Sequence, residues 1–102
     1  MYDVVYGLVC GGREHLWTDE GLAVARRRKV ALEEVDQALH APPGLRFERR
    51  IGDLLLVVMG MAGSGRVVAV VCEQMYRTTT YRILSVKALA GAELDEWRRR
   101  VL

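Results

Sequence analysis

The spacing of apolar residues changes at Pro42-Pro43-Gly44, and this change constrains the fold more than any other feature of the chain. Before it, Leu32, Val35 and Leu39 recur at the spacing of one helix face. After it come two continuous apolar runs of strand length, 53–61 and 67–75. The chain therefore divides into a helical first part and a sheet-forming second part, which is typical of an α+β domain.

Two helices are predicted before the prolines and one at the end of the chain. The first spans 18–28, because Thr18 supplies a capping hydroxyl, acids follow it, and cations at 26–29 suit the negative end of the helix dipole. The second spans 32–40 and stops at the prolines. The third spans 91–100 and presents an apolar stripe made of Ala90, Leu94, Trp97 and Val101.

The strands are predicted from apolar and β-branched runs. A short strand is expected at 2–10, and an exposed or edge strand at 45–51, where residue character alternates. Strands at 54–61 and 67–75 flank the glycine-rich segment 63–66 and form a hairpin, and another strand follows at 81–88. We therefore predict a single α+β domain over residues 1–102, with a short N-terminal strand, two helices, an antiparallel sheet of three to four strands and a C-terminal helix.

Charge and composition exclude several function classes. The net charge of +2 permits an anionic partner without requiring one. The longest uncharged apolar run, 54–62, is too short to span a bilayer, and the first residues do not resemble a signal peptide, so we expect a cytoplasmic protein that does not bind membranes. His15 and His40 lack acidic or cysteine neighbours at ligand spacing. We therefore expect no metal or cofactor, and interpret each histidine as a surface or cap residue.

Cations cluster in two kinds of place. The runs 26–29 and 98–100 are solvated helix ends or parts of a binding surface. Further cations lie in or beside the predicted sheet, with Tyr81 among them, namely Arg46, Arg50, Arg66, Arg77 and Lys87. Such a sheet face would suit a phosphodiester and a stacked base, whereas scattered surface charge is the competing interpretation.

The second half also resembles a known family. The segment 65–73 reads Gly-Arg-Val-Val-Ala-Val-Val-Cys-Glu, and 81–88 reads Tyr-Arg-Ile-Leu-Ser-Val-Lys-Ala, followed by Glu93 and Trp97. Together they resemble the C-terminal half of the BrnT toxin family, and the similarity extends over about residues 17–98. The chain departs from the family pattern in several places. Its N-terminal strand, 2–10, begins earlier than usual, and Arg50 is only the nearest match to the arginine that the family has ahead of the second strand. Arg27-Arg28-Lys29-Val30 stands where the family commonly has Lys/Arg-His-Gly-Val, and Lys87 replaces an arginine.

The resemblance implies a RelE-like fold and an endoribonuclease that cleaves messenger RNA by attack of a ribose 2′-hydroxyl, without a metal ion. It also implies neutralisation by a cognate antitoxin of the ribbon-helix-helix type, in a dimer or heterotetramer. The implied catalytic set has Glu73 or Lys87 as base, Arg66 and Arg82 as phosphate clamps, and Tyr81 or Arg28 as acid or stacking partner. The residues expected to bind RNA are Arg28, Lys29, Arg46, Arg50 and Arg77. A binding module with the same fold and no catalytic activity is the alternative.

Overall fold

The computed structural model describes residues 4–10 and 13–101, so Tyr2 and Asp3 of the predicted first strand lie outside the described part. The prolines open a short 3-10 turn, Pro43–Leu45, between the helical part and the main run of strands. The strands are β1 Val4–Cys10, β2 Arg13–Thr18, β3 Arg46–Ile51, β4 Leu55–Met61, β5 Val67–Gln74 and β6 Thr80–Ala88. The helices are α1 Asp19–Arg27, α2 Leu32–Leu39 and α3 Gly91–Val101.

All six strands belong to one sheet, in the order β1-β2-β6-β5-β4-β3. Neighbouring strands run antiparallel except β2 and β6, which are parallel where Glu14–Trp17 pairs with Thr80–Ile83. The β4–β5 hairpin forms as predicted, and its turn is closed by the Gly65 amide, which donates to the Ala62 carbonyl at 2.9 Å. β3 is an edge strand, as its alternation indicates.

The predicted α+β class and single domain are confirmed, and the predicted helices and later strands match within one or two residues. The predicted sheet of three to four antiparallel strands is too small, since the sheet has six strands and one parallel pair. The strand that the sequence does not reveal is β2, because segment 13–18 mixes charged, polar and apolar residues and its partner β6 is distant in the chain. Local spacing carries no information about such a pairing.

Helices cover both faces of the sheet. α1 and α2 pack on one face, here called the α1/α2 face, over a core that includes Trp17, Val35, Leu56, Val70 and Ile83. α3 packs on the opposite face, here called the α3 face, over Val67, Ala69 and Leu89. Trp97 of α3 is 1% exposed, and its indole N–H donates to the Met59 carbonyl at 2.9 Å. This bond and the buried ring dock α3 on the sheet, as its apolar stripe predicts.

Thr18 joins the first helix to the sheet. Its Oγ1 accepts a hydrogen bond from the Gly21 amide at 2.9 Å and so caps α1, as the sequence predicts. The same hydroxyl donates to the Ile83 carbonyl at 2.8 Å. One buried side chain therefore fixes both the start of α1 and its position beside β6.

Candidate nucleic-acid surface and a second cationic pocket

Strand alternation distributes the predicted catalytic residues over both faces of the sheet. Glu73 and Arg82 lie directly opposite each other on β5 and β6, on the α3 face, and register places Lys87 on that face as well. Tyr81 points to the α1/α2 face and is 2% exposed. Arg66 precedes β5, and its guanidinium contacts α2. The structure therefore brings Glu73, Arg82 and Lys87 to one face and leaves Tyr81 and Arg66 elsewhere.

Glu73 and Arg82 form a direct pair. Arg82 Nη2 donates to Glu73 Oε1 at 2.5 Å, and about a quarter of each side chain is exposed. A carboxylate can accept a proton from a hydroxyl group, and a guanidinium binds phosphate oxygens. This pair therefore places a candidate base beside a candidate phosphate ligand.

Lys87 lies in a cavity of about 300 Å³ on the α3 face. Its Nζ is 2.7 Å from Glu93 Oε2 of α3. Arg28 reaches the cavity from the end of α1, and its Nη1 donates to Ser85 Oγ at 3.3 Å. Arg28 can do so because β2 pairs with β6 only over 80–83 and leaves the later residues of β6 open on that side. The apolar residues of this cavity include Val57, Met59 and Val71.

A second cavity of about 450 Å³ shares Met59 and Glu93 with the first. It is lined by Arg49 and Phe47 of β3 and by α3, whose Arg100 guanidinium lies 5.3 Å from the centre of the Phe47 ring. The two cavities together are called the α3 groove. The α3 groove combines apolar residues of the sheet with cations at both ends, and the carboxylates of Glu93 and Glu96 also line it.

A different pocket lies on the α1/α2 face, beside the end of α2. It has a volume of about 300 Å³, and its lining includes Arg13 and His15 of β2 with Arg46 and Glu48 of β3. These strands are not neighbours in the sheet, yet Arg13 Nη1 is 2.7 Å from Glu48 Oε1. Side chains from β2 and β3 therefore meet over the strands that lie between them. This cavity is called the His15 pocket.

His15 corrects one sequence prediction, because it is neither a surface nor a cap residue. Its side chain is 2% exposed and stacks on Tyr81, with the two ring centres 5.7 Å apart. Neither ring nitrogen has a hydrogen-bond partner among the described residues. Burial, followed by the charge of Arg13, lowers the pKa of His15 to about 4, so the imidazole is neutral at pH 7.

The charged groups around His15 are ordered by ion pairs. Burial alone would raise the pKa of Glu48, but the hydrogen bond and charge of Arg13, with the charge of Arg46, hold that pKa below its usual range. Arg50, the next cation on this side of β3, donates from Nη2 to the Tyr81 hydroxyl at 2.8 Å. Two of the predicted RNA-binding residues, Arg46 and Arg50, therefore lie on the α1/α2 face.

The remaining predicted residues have local structural contacts. Arg66 Nη1 donates to Glu34 Oε1 at 3.0 Å and to the Lys29 carbonyl at 3.3 Å, and so ties the β4–β5 turn to α2. Arg77 lies in the β5–β6 turn, 5.2 Å from the ring centre of Tyr76. His40 is the C-cap residue of α2, with Nδ1 3.0 Å from Asp36 Oδ1, which confirms its prediction as a cap histidine.

The chain is thus a small α+β domain with a cation-flanked groove on one sheet face and a buried cationic pocket on the other. In comparisons with protein-family models, with curated proteins and with solved structures, nothing matches this chain. Over residues 4–10 and 13–101, no group of three or more His, Cys, Asp or Glu side chains is arranged to hold a metal ion. No helix in the described part of the chain is long and apolar enough to cross a membrane.

Proposed function

We propose that this chain is the toxin of a type II toxin–antitoxin pair, an endoribonuclease that binds messenger RNA on the α3 face. The observation that carries the proposal is the α3 groove, in which apolar sheet residues lie between Arg28 and Lys87 at one end and Arg49 and Arg100 at the other. Cations that follow a groove suit the phosphate backbone of a single strand, and apolar or aromatic surface suits its bases.

The chemistry would use the Glu73–Arg82 pair, without a metal ion. Glu73 accepts the proton of a ribose 2′-hydroxyl, whose oxygen attacks the adjacent phosphorus and displaces the 5′ oxygen. Arg82 stabilises the negative charge that grows on the phosphate oxygens. Lys87 holds the RNA strand further along β6, at a distance of roughly 13 Å, because Arg82 and Lys87 pair with residues of β5 that lie four positions apart. The departing 5′ oxygen takes up a proton from water, because Tyr81 is buried on the other face of the sheet. The products are a 2′,3′-cyclic phosphate and a free 5′-hydroxyl.

The same proposal includes a cytoplasmic location and a cognate antitoxin, in a dimer or heterotetramer. The antitoxin would be of the ribbon-helix-helix type, as the resemblance implies. A short neighbouring reading frame that encodes such a protein would support the proposal. If co-expression of that protein does not relieve toxicity, the result would count against the proposal.

One observation favours a second candidate, a binding module that holds RNA without cleaving it. Arg82 and Lys87 each already contact a carboxylate, from Glu73 and Glu93 respectively. A binding module predicts small, salt-dependent losses of RNA affinity spread over many cations. A ribonuclease instead predicts that loss of one catalytic cation affects turnover more than binding.

Induced expression with growth and RNA integrity followed together tests the proposal in cells. Wild-type protein should arrest growth and fragment messenger RNA, and Arg82→Ala should reduce cleavage roughly a hundredfold or more, the usual effect of removing a charge-stabilising donor. Arg99→Ala is the matched control, because Arg99 bonds to Glu96 of its own helix and lines neither cavity of the α3 groove. Normal growth and intact RNA with soluble wild-type protein would favour the binding module.

A further inference from the structure

The His15 pocket differs from the α3 groove in position, size and chemistry. It lies on the opposite face of the sheet and is bounded by β2, β3 and α2. Its volume of about 300 Å³ suits a small molecule. The His15 pocket contains none of the predicted catalytic residues Glu73, Arg82 and Lys87, and it is separate from the α3 groove.

His15 gives the pocket a buried polar group that has no hydrogen-bond partner within the described part of the chain. The imidazole is 2% exposed and lines the cavity, and neither of its nitrogens is hydrogen bonded among the described residues. Buried polar groups in folded proteins are nearly always paired, so a buried imidazole of this kind needs an explanation. A neutral imidazole offers one N–H donor and one acceptor nitrogen, so it can donate to an unprotonated oxygen of an anion or accept from a protonated one.

The charges around the imidazole select the type of ligand. Arg13 and Arg46 approach from two strands, and each has a guanidinium nitrogen near the single carboxylate of Glu48, at 2.7 and 3.7 Å. Arg46 Nη1 also donates to the Leu39 carbonyl at 3.0 Å. Two guanidinium groups and one carboxylate leave a net positive charge beside the neutral imidazole. Donors that converge from several directions suit the tetrahedral oxygens of a phosphate, and Glu48 can accept the proton of a phosphate hydroxyl.

We propose that the His15 pocket is a binding site for a small phosphate ester, independent of the RNA surface on the α3 face. His15 and the two guanidinium groups hold the phosphate oxygens, and the walls formed by Leu39 and Val58 contact the rest of the ligand. Inorganic phosphate and the terminal phosphate of a nucleotide share this chemistry. The proposal stands whether or not the chain cleaves RNA.

Titration calorimetry at pH 7 with inorganic phosphate and, separately, with each nucleoside monophosphate tests the site. Wild-type protein should bind at least one of these saturably below about 10 mM, and His15→Gln and Arg46→Gln should each weaken binding about tenfold. If a nucleotide binds more tightly than inorganic phosphate, the ligand is a phosphate ester. Equal affinities would show that the pocket recognises the phosphate group alone.

Two control variants separate this pocket from the other cationic surfaces. Arg49 is next to Glu48 in sequence but lies on the α3 face, and Lys87 lies in the α3 groove. The affinities of Arg49→Gln and Lys87→Ala for phosphate and nucleotides should therefore stay within about twofold of the wild-type values. Folding of every variant is checked by thermal unfolding, and Arg13→Gln at the partly exposed mouth replaces any variant that fails to fold. The proposal would be overturned if the wild-type protein shows no saturable binding. It would also be overturned if Lys87→Ala loses binding while His15→Gln and Arg46→Gln keep it.

Discussion

His15 links the free energy of unfolding to pH. Its pKa is about 4 in the folded chain against 6.5 as the ordinary value, because burial and the charge of Arg13 disfavour the imidazolium. The unfolded chain therefore binds more protons between pH 6.5 and pH 4, and stability falls as the pH drops through that window. The charge of Glu48 opposes this shift and that of His40 adds to it.

Because the pKa of His15 is lowered from 6.5 to about 4, the unfolding free energy should fall by about 3 kcal/mol between pH 7 and pH 4. Denaturant unfolding at several pH values measures it, and His15→Gln should remove most of the loss between pH 6.5 and pH 4.5. Glu34 and Glu48 have pKa values below 4.5, so their contributions disappear only at lower pH. An identical pH dependence in wild type and His15→Gln would show that His15 is not held neutral.

Glycine at position 60 sets the distance between α2 and the sheet. A Cβ atom at Gly60 of β4 would overlap the backbone carbonyl of Ala38 in α2. Gly60→Ala should therefore lower the unfolding free energy by about 2–3 kcal/mol, because backbone rather than a flexible side chain must move. Gly44→Ala is the control, since nothing lies within 4 Å of its added methyl group. Equal stability of the two variants would contradict this packing.

Trp97 is the main attachment of α3. Its ring is 1% exposed, and truncation removes both that burial and the hydrogen bond to the Met59 carbonyl. Trp97→Ala should lower the unfolding free energy by about 3 kcal/mol. Chemical denaturation measures the change, with Arg98→Ala as the exposed control on the same helix. Unchanged unfolding of Trp97→Ala would mean that α3 is not part of the core.

Elements with a clear period or a capping residue were predictable from the sequence. α1 follows from Thr18 and its acids, and the hairpin follows from two apolar runs around Gly63 and Gly65. β2 was not predictable, because Trp17 and Thr18 also fit a helix start and only pairing with β6 makes segment 13–18 a strand. That pairing also buries His15, so the same missed strand concealed the His15 pocket.

The two faces of the sheet divide the molecule into surfaces of different character. The cations of the α3 face, Arg82 and Lys87, were predictable as sheet residues, since alternation along β6 is visible in the sequence. Alternation also separates Arg82 from Tyr81, but strict alternation along β6 would put Lys87 on the same face as Tyr81. The register shift in the β5–β6 pairing between Val71 and Cys72 moves Lys87 to the α3 face, so the sequence pattern places Lys87 on the wrong face. The contact between Arg13 and Glu48 could not be predicted from the sequence, because it depends on how side chains of non-neighbouring strands meet over the sheet. Local pattern therefore predicted Arg82 and Lys87 as cations of the sheet, but it predicted neither the α3 groove as a whole nor the His15 pocket.

The most direct test of the central claim is cleavage of RNA by the purified protein, alone and with translating ribosomes, in the presence of a chelator. The wild-type protein should yield fragments with 2′,3′-cyclic phosphate and 5′-hydroxyl ends. Glu73→Gln should reduce the rate roughly a hundredfold or more by removing the base, while RNA affinity changes little. Intact RNA after incubation with folded wild-type protein under both conditions, with retained salt-dependent RNA binding, would contradict the ribonuclease account.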